Sequence, residues 1–216
     1  MSIDSFSSCP SLCAVVDVEG AARSGWTVQD LATAYLRGGA RFLQIRAKST
    51  PSVELLGWCE AIIKEARERE CIVIVNDYAD LAKLSGADGV HVGQDDLSPE
   101  DVRRIVGTQA VVGLSTHTLS QIGDGARSSA SYLAVGPVSV THTKKTGYNA
   151  VGLDMVRLAV KTTQKPIVAI GGITLESAPE VLRAGACSVA VISDLLVTGD
   201  PERRVHEYLE TLPHND

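Results

Sequence analysis

No run in the 216 residues reaches the ~18 to 20 consecutive apolar positions of a membrane-spanning helix. Neither sign of charge dominates. With 20 Lys+Arg against 26 Asp+Glu the formal charge is −6, so no global positive field recruits nucleic acid or an anionic membrane. Aromatics are only 4% of the chain, and its 44% hydrophobic content therefore rests on aliphatic side chains. The five cysteines are odd in number and form no Cys-x-x-Cys pair, which argues against a disulfide framework, and no His/Cys group has zinc spacing. Cys13, Cys71 and Cys187 fall in or beside apolar runs and read as small buried hydrophobes. Low-complexity segments, short repeats and Pro/Ser/Gly-rich linkers are absent, so residues 1–216 read as a single domain. Residues 1–10, which include Cys9, are polar and Ser-rich, lack the pattern of a secretory signal, and are expected to be a loose N-terminal segment. The expectation is a cytoplasmic protein acting on small molecules.

What the chain does contain is a rhythm of short apolar runs: Leu12 to Val16, Phe42 to Ile45, Ile72 to Val75, Gly89 to Val92, Val111 to Leu114, Tyr132 to Val135, Ile167 to Ile170 and Val189 to Ile192. Their near-continuous Val/Ile/Leu content fits buried parallel strands. Helical segments lie between them. Thr27 can cap a helix whose apolar face uses Val28, Leu31, Ala34 and Tyr35, with Gly38 at its end. Ser98-Pro99 and Asp200-Pro201 each place a cap before a proline suited to the first helical position. Gly123 and Gly125 weaken the helix expected after Leu119, at ~1 kcal/mol each relative to alanine. Eight such units predict a compact (β/α)₈ TIM barrel; an open doubly wound sheet is the competing architecture.

The residues after each run favour the barrel, because there they converge on one mouth. Asp17 ends the first run. The second carries Gln44, Arg46 and Lys48, alternate positions that share a side of the strand, where two cations are costly unless an anion meets them or salt bridges pair them. Asn76-Asp77 follows the third run and Gln94-Asp95-Asp96 the fourth. Asp77 and Asp96 offer oxygen ligands suited to Mg²⁺, though Asp77 is also placed to cap a helix and Asp96 to bond a loop amide. Ser115 and His117 lie at the end of the fifth run, and His91, inside an apolar strand, reads as a hydrogen-bonded core residue. Thr141-His142-Thr143-Lys144-Lys145 is either a mobile site loop or a solvated surface loop. Gly171-Gly172 admits a phosphate to backbone amides or forms a plain tight turn, and Ser193 closes the series.

In order and spacing, several segments together resemble the thiamine-phosphate synthase family: Gln44-Ile45-Arg46-Ala47-Lys48, Val75-Asn76-Asp77, Gly89-Val90-His91-Val92-Gly93-Gln94-Asp95-Asp96, Gly113-Leu114-Ser115-Thr116-His117, Thr141 to Lys145 and Ala169-Ile170-Gly171-Gly172-Ile173-Thr174. The resemblance covers nearly the whole chain. It implies a transferase that joins an aminomethyl-pyrimidine diphosphate to a thiazole phosphate, carboxylated or not, and releases pyrophosphate. By similarity Gln44, Arg46, Lys48, Asn76, Ser115 and Lys144 would bind the pyrimidine diphosphate, with Arg46, Lys48 and Lys144 as catalytic cations. Thr141, Thr143, Gly172, Ile192 and Ser193 would hold the thiazole phosphate; Ile45, Ala47 and His142, within the matched motifs, join the expected substrate-binding set. Asp77 and Asp96 would hold Mg²⁺, and a homodimer is the family analogy. Ala47, Val138-Ser139 and Thr146 depart from the family's usual residues without removing an expected ligand. Two relatives in fold remain as alternatives, a thiazole tautomerase and a catalytically silent thiazole-phosphate-binding regulatory protein. The retained Lys48, Asn76, Asp77, Asp96 and Lys144 favour the synthase. Lys144→Ala is expected to slow pyrophosphate loss far more than it weakens thiazole-phosphate binding, read by single-turnover kinetics beside equilibrium titration; the reverse pattern would contradict the assigned role.

Overall fold

The structure, a computed structural model, describes residues 9–141 and 147–213. Along it run β1 (Leu12–Asp17), α1 (Val18–Arg23), α2 (Val28–Arg37), β2 (Phe42–Arg46), α3 (Ser52–Arg67), β3 (Ile72–Asn76) and α4 (Ala79–Ser85). There follow β4 (Gly89–Val92), α5 (Pro99–Val106), β5 (Val111–Thr116), α6 (Leu119–Arg127), β6 (Tyr132–Val135), α7 (Gly152–Thr162), β7 (Ile167–Ile170), α8 (Ala178–Arg183) and β8 (Ser188–Val191). A 3₁₀ turn over Ser193–Leu196 and α9 (Pro201–Thr211) complete the order. The strands close in sequence order, and β8 pairs in parallel with β1 through Leu12↔Val189 and Ala14↔Val191. This is the (β/α)₈ barrel, not the open sheet.

Side-chain alternation divides the core into two layers. Outward residues such as Leu43, Ile45, Val73, Val75 and Leu133 pack with Leu31, Tyr35, Leu55 and Ile62 of the surrounding helices. Inward residues Cys13, Val15, Phe42, Ile72, Ile74, Val111 and Tyr132 fill the barrel itself. Strands covered on both faces need apolar residues at odd and even positions alike, which explains the unbroken Val/Ile/Leu runs. Cys9 corrects an expectation: it is not in a loose segment but only 2% exposed, packed into the amino-terminal end of the barrel interior. β1 begins three residues later, so the chain must already be entering the barrel.

The expected caps form. Thr27 Oγ1, Ser98 Oγ and Asp200 Oδ1 each accept a backbone N–H at 3.1 Å from Asp30, Asp101 and Arg203. α6 survives its glycines because Thr118 caps it and because Gly125 lies against β6, where a Cβ would meet Leu133 Cδ2 at 2.8 Å. α9 is stapled across the barrel by a buried cluster: Asp194 Oδ2 accepts from Tyr208 Oη at 2.7 Å, Arg204 Nη2 at 2.8 Å and the Leu175 amide at 3.1 Å.

Burial pushes the Cys59 and Cys71 thiols up to about 12 and raises Cys13 too. Cys9 is raised first by its hydrogen bond with Cys187 and then by burial. In the unfolded chain a thiol ionises near pH ~8.5, so above that the unfolded state binds fewer protons than the folded one. The contribution of these thiols to stability is therefore expected to be flat below pH ~8 and to fall as pH rises, by ~1.4 kcal/mol per unit for each such thiol. For Cys59 and Cys71 the loss continues to about 12. Buried Tyr35, Tyr132 and Tyr208, all raised by burial, extend the trend above pH ~10. Denaturant unfolding under reducing conditions at neutral and alkaline pH checks this; equal stability at both would contradict it.

Candidate active site

Read from the amino to the carboxyl end, the inward rows of β1, β2, β3 and β5 turn from apolar to polar: Cys13-Val15-Asp17, Phe42-Gln44-Arg46, Ile72-Ile74-Asn76 and Val111-Gly113-Ser115. The polar ends gather at the carboxyl-terminal mouth around a cleft of about 750 Å³, open face included. Gln44, Arg46, Asn76, Ser115, Thr141, Gly172, Ile192 and Ser193 all line it, eight expected substrate residues from six strands or their loops. Ala134, Pro137, Ile170 and Ala190 supply apolar wall that composition alone did not single out. Ala134, Ile170 and Ala190 share the inward parity of their strands, whereas Pro137 lies in the loop after β6.

The charges are placed by strand register. Asp17 and Arg46 are paired positions of β1 and β2, and Arg46 Nη1 donates to Asp17 Oδ2. Asp17 is buried and its other oxygen accepts the Gly20 amide at 2.8 Å, capping α1. The Arg46 Nε–H is buried without a hydrogen-bond partner among the described residues. A buried donor of that kind favours an acceptor in the cleft, because an unmade bond to a charged group is costly. Lys48, 45% exposed at the rim, donates to Asp77 Oδ2 at 2.5 Å. Asp77 sits at φ +67°, a left-handed conformation that Asp tolerates, just after β3. It does not cap α4, whose N-cap is Tyr78.

Deeper in the barrel, His91 joins two parts of the site as the hydrogen-bonded core residue expected. Its Nε2 lies 2.8 Å from Ser115 Oγ and its Nδ1 2.9 Å from the Tyr132 hydroxyl. A chain Tyr132–His91–Ser115 thus fixes one expected substrate residue from below. Gly113 makes it possible: a Cβ there would lie 2.3 Å from His91 Nδ1 and 2.2 Å from Tyr132 Cζ. The Gly171-Gly172 pair is likewise required by close approach and positive φ, since a Cβ on Gly172 would meet the Val140 carbonyl at 2.5 Å. The pair is a tight turn packed against the backbone of Ser139 and Val140.

Not every expected residue faces the cleft. Ile45 and Ala47 point their side chains into the outer core, since alternation turns them away from Gln44, Arg46 and Lys48, and only their backbone could serve a ligand. Asp96 lines a neighbouring groove with Gly93 and Leu97, where its Oδ2 accepts the Gly93 amide at 2.7 Å. His142, Thr143 and Lys144 lie outside the described residues. Among the described residues no three His, Cys, Asp or Glu gather as a metal site. Mg²⁺ usually takes one or two protein carboxylates and completes its shell with water and phosphate oxygens, so the oxygen-only pair Asp77 and Asp96 fits it in kind. Sequence reasoning missed the Asp17–Arg46 pair, the Asp194 cluster beneath Ser193 and the Tyr132 hydroxyl, all of which depend on non-local register.

Residues 12–195 match the family model described as thiamine monophosphate synthase. The chain is 44% identical over 205 residues to the thiamine-phosphate synthase of Koribacter versatilis, covering 94% of this chain and 96% of that one. It is 39% identical over 173 residues to that of a Roseiflexus species, covering 80% of this chain and 73% of the other. Among solved structures, the thiamine phosphate pyrophosphorylase of Pyrococcus furiosus superposes with a TM-score of 0.84 at 28% identity, over 93% of this chain and 94% of that one.

Gly113→Ala is expected to destabilise the protein by ~1 to 3 kcal/mol, as overpacking at a filled site does, and to part His91 from Ser115. Denaturant unfolding measures the first effect; stability equal to the parent's would contradict the packing described.

Proposed function

The chain belongs to the thiamine monophosphate synthase family, and we propose that it couples 4-amino-2-methyl-5-(diphosphooxymethyl)pyrimidine with a thiazole phosphate, giving thiamine phosphate and pyrophosphate. It is an enzyme, a transferase of thiamine biosynthesis. The observation that most supports this reaction is the buried Arg46 guanidinium in the wall of the cleft, oriented by Asp17 and with its Nε–H unpaired among the described residues.

As the carbon–oxygen bond to the diphosphate breaks, negative charge grows on the departing oxygens. Arg46 from inside and Lys48 at the rim stabilise it, joined by Lys144, whose role rests on sequence alone. Gln44, Asn76 and Ser115 hold the pyrimidine, with Ser115 Oγ oriented through His91. Asp77 and Asp96 would hold Mg²⁺, which when bound adds positive charge at the diphosphate. Thr141, Gly172, Ile192 and Ser193, with Thr143, would hold the thiazole phosphate so that its ring nitrogen faces the pyrimidine carbon that loses the diphosphate. Holding the two reactants in line replaces a bimolecular encounter, and this step needs no protein nucleophile or general base. The apolar wall of Ala134, Ile170 and Ala190 limits the water that would otherwise capture the electrophilic carbon.

The purified protein is expected to release pyrophosphate and form thiamine phosphate only with both substrates and Mg²⁺ present, and EDTA is expected to abolish both. Absence of release with both substrates would overturn the reaction. Asp77→Ala is expected to raise the Mg²⁺ concentration giving half-maximal rate by about 10-fold or more. An unchanged Mg²⁺ dependence would remove Asp77 from the metal's ligands.

A further inference from the structure

The mouth has two lobes. The inner one holds Arg46; the outer one continues past the shared residues Thr141, Gly172, Ile173, Ile192 and Ser193 toward the end of α1. Among the described residues lining the outer lobe, Arg23 is the single basic side chain, and Asp194 the single acidic one. The Asp194 Oδ2 already takes Tyr208, Arg204 and the Leu175 amide, so this carboxylate is committed to the staple beneath the lobe. Arg23 is 64% exposed, and its Nη2 lies 4.0 Å from Asp17 Oδ1, beyond hydrogen-bond distance. Arg23 is therefore not bonded to the buried Asp17, whose oxygens are taken by Arg46 and the Gly20 amide. Asp17 does set direction, because it turns one oxygen toward Arg46 of the inner lobe and the other toward Arg23 of the outer lobe.

We propose that Arg23 is a substrate-binding residue that takes the phosphate of the thiazole substrate in the outer lobe and sets the preference for the phosphorylated thiazole over its free alcohol. The proposal rests on the reaction given above. Gly172 offers backbone to a phosphate but no formal charge, and a phosphate dianion in a partly enclosed lobe is held more strongly by a guanidinium, which can donate two parallel N–H bonds. Position at the end of a helix could by itself account for an arginine there, through the helix dipole. That role would affect stability and both substrates alike, whereas a phosphate contact affects one substrate through one group.

The test is calorimetric titration of thiazole phosphate and of the corresponding thiazole alcohol into the parent protein, Arg23→Ala and Arg23→Lys, beside steady-state kinetics for both substrates. Arg23→Ala is expected to weaken thiazole phosphate by about 10- to 100-fold, the range for a hydrogen bond to a charged group, and to leave the alcohol unchanged. Arg23→Lys is expected to recover part of the loss, and KM for the pyrimidine diphosphate to stay within about twofold. Equal affinity of Arg23→Ala and the parent for thiazole phosphate, equal losses for phosphate and alcohol, or a parent that does not distinguish them would each overturn the proposal. If the parent binds thiazole phosphate through Arg23 yet releases no pyrophosphate with both substrates, the reaction fails and the Arg23 assignment stands.

Discussion

The carboxylate of Asp17 ends the inward row of β1 and meets Arg46 directly across the β1–β2 ladder, and the rest of the mouth is arranged around that contact. Only 2% of Asp17 is exposed, so the pair has been taken out of water at a cost its mutual attraction must offset. Losing either partner would strand a buried charge. The pairing is also a matter of register: slipping β1 against β2 by one residue would turn Asp17 outward and leave Arg46 without its carboxylate. With one oxygen on Arg46 and the other on the Gly20 amide, Asp17 further fixes where β1 stops and α1 starts.

Closure of the barrel turns a one-dimensional alternation into a graded interior. Apolar residues fill the lower layers, the last inward residues of β1, β2, β3 and β5 are polar, and those of β6, β7 and β8 are the apolar Ala134, Ile170 and Ala190, so the mouth has a polar side and an apolar side. The layer between core and mouth is the Tyr132–His91–Ser115 chain, whose buried polar groups are paired with one another and so rigidify the floor on which substrate would rest. Gly113 is part of that floor by what it lacks, since a methyl group at its position would occupy the space of His91 and Tyr132. Packing and chemistry are therefore set by the same rows of residues.

The eight strands were legible because both faces of each are buried, which leaves uninterrupted Val/Ile/Leu runs. Closure was legible because polar residues follow nearly every run. Cap residues at Thr27, Ser98 and Asp200 placed their helices for local reasons that need no tertiary knowledge. What stayed hidden was non-local. Nothing near Asp17 in sequence announces Arg46, and nothing near Asp194 announces Arg204 and Tyr208, which arrive from α9. Cys9 looked loose because its neighbours are polar, although the barrel interior needs a plug where β1 enters. Ile45 and Ala47 sat inside a recognisable motif, yet a motif is contiguous while a strand face is alternate, and parity assigns them to the helix layer.

The proposed reaction requires that one cleft seat two anions, the diphosphate by Arg46 and Lys48 and the phosphate by Gly172 and Ser193. A crystal structure of the protein with thiamine phosphate, pyrophosphate and Mg²⁺ bound decides this. Pyrophosphate is expected against Arg46 and Lys48, and the phosphate of thiamine phosphate against the Gly172 and Ser193 loops. Pyrophosphate bound away from Arg46, or the phosphate of thiamine phosphate lying at the Arg46 end, would contradict it.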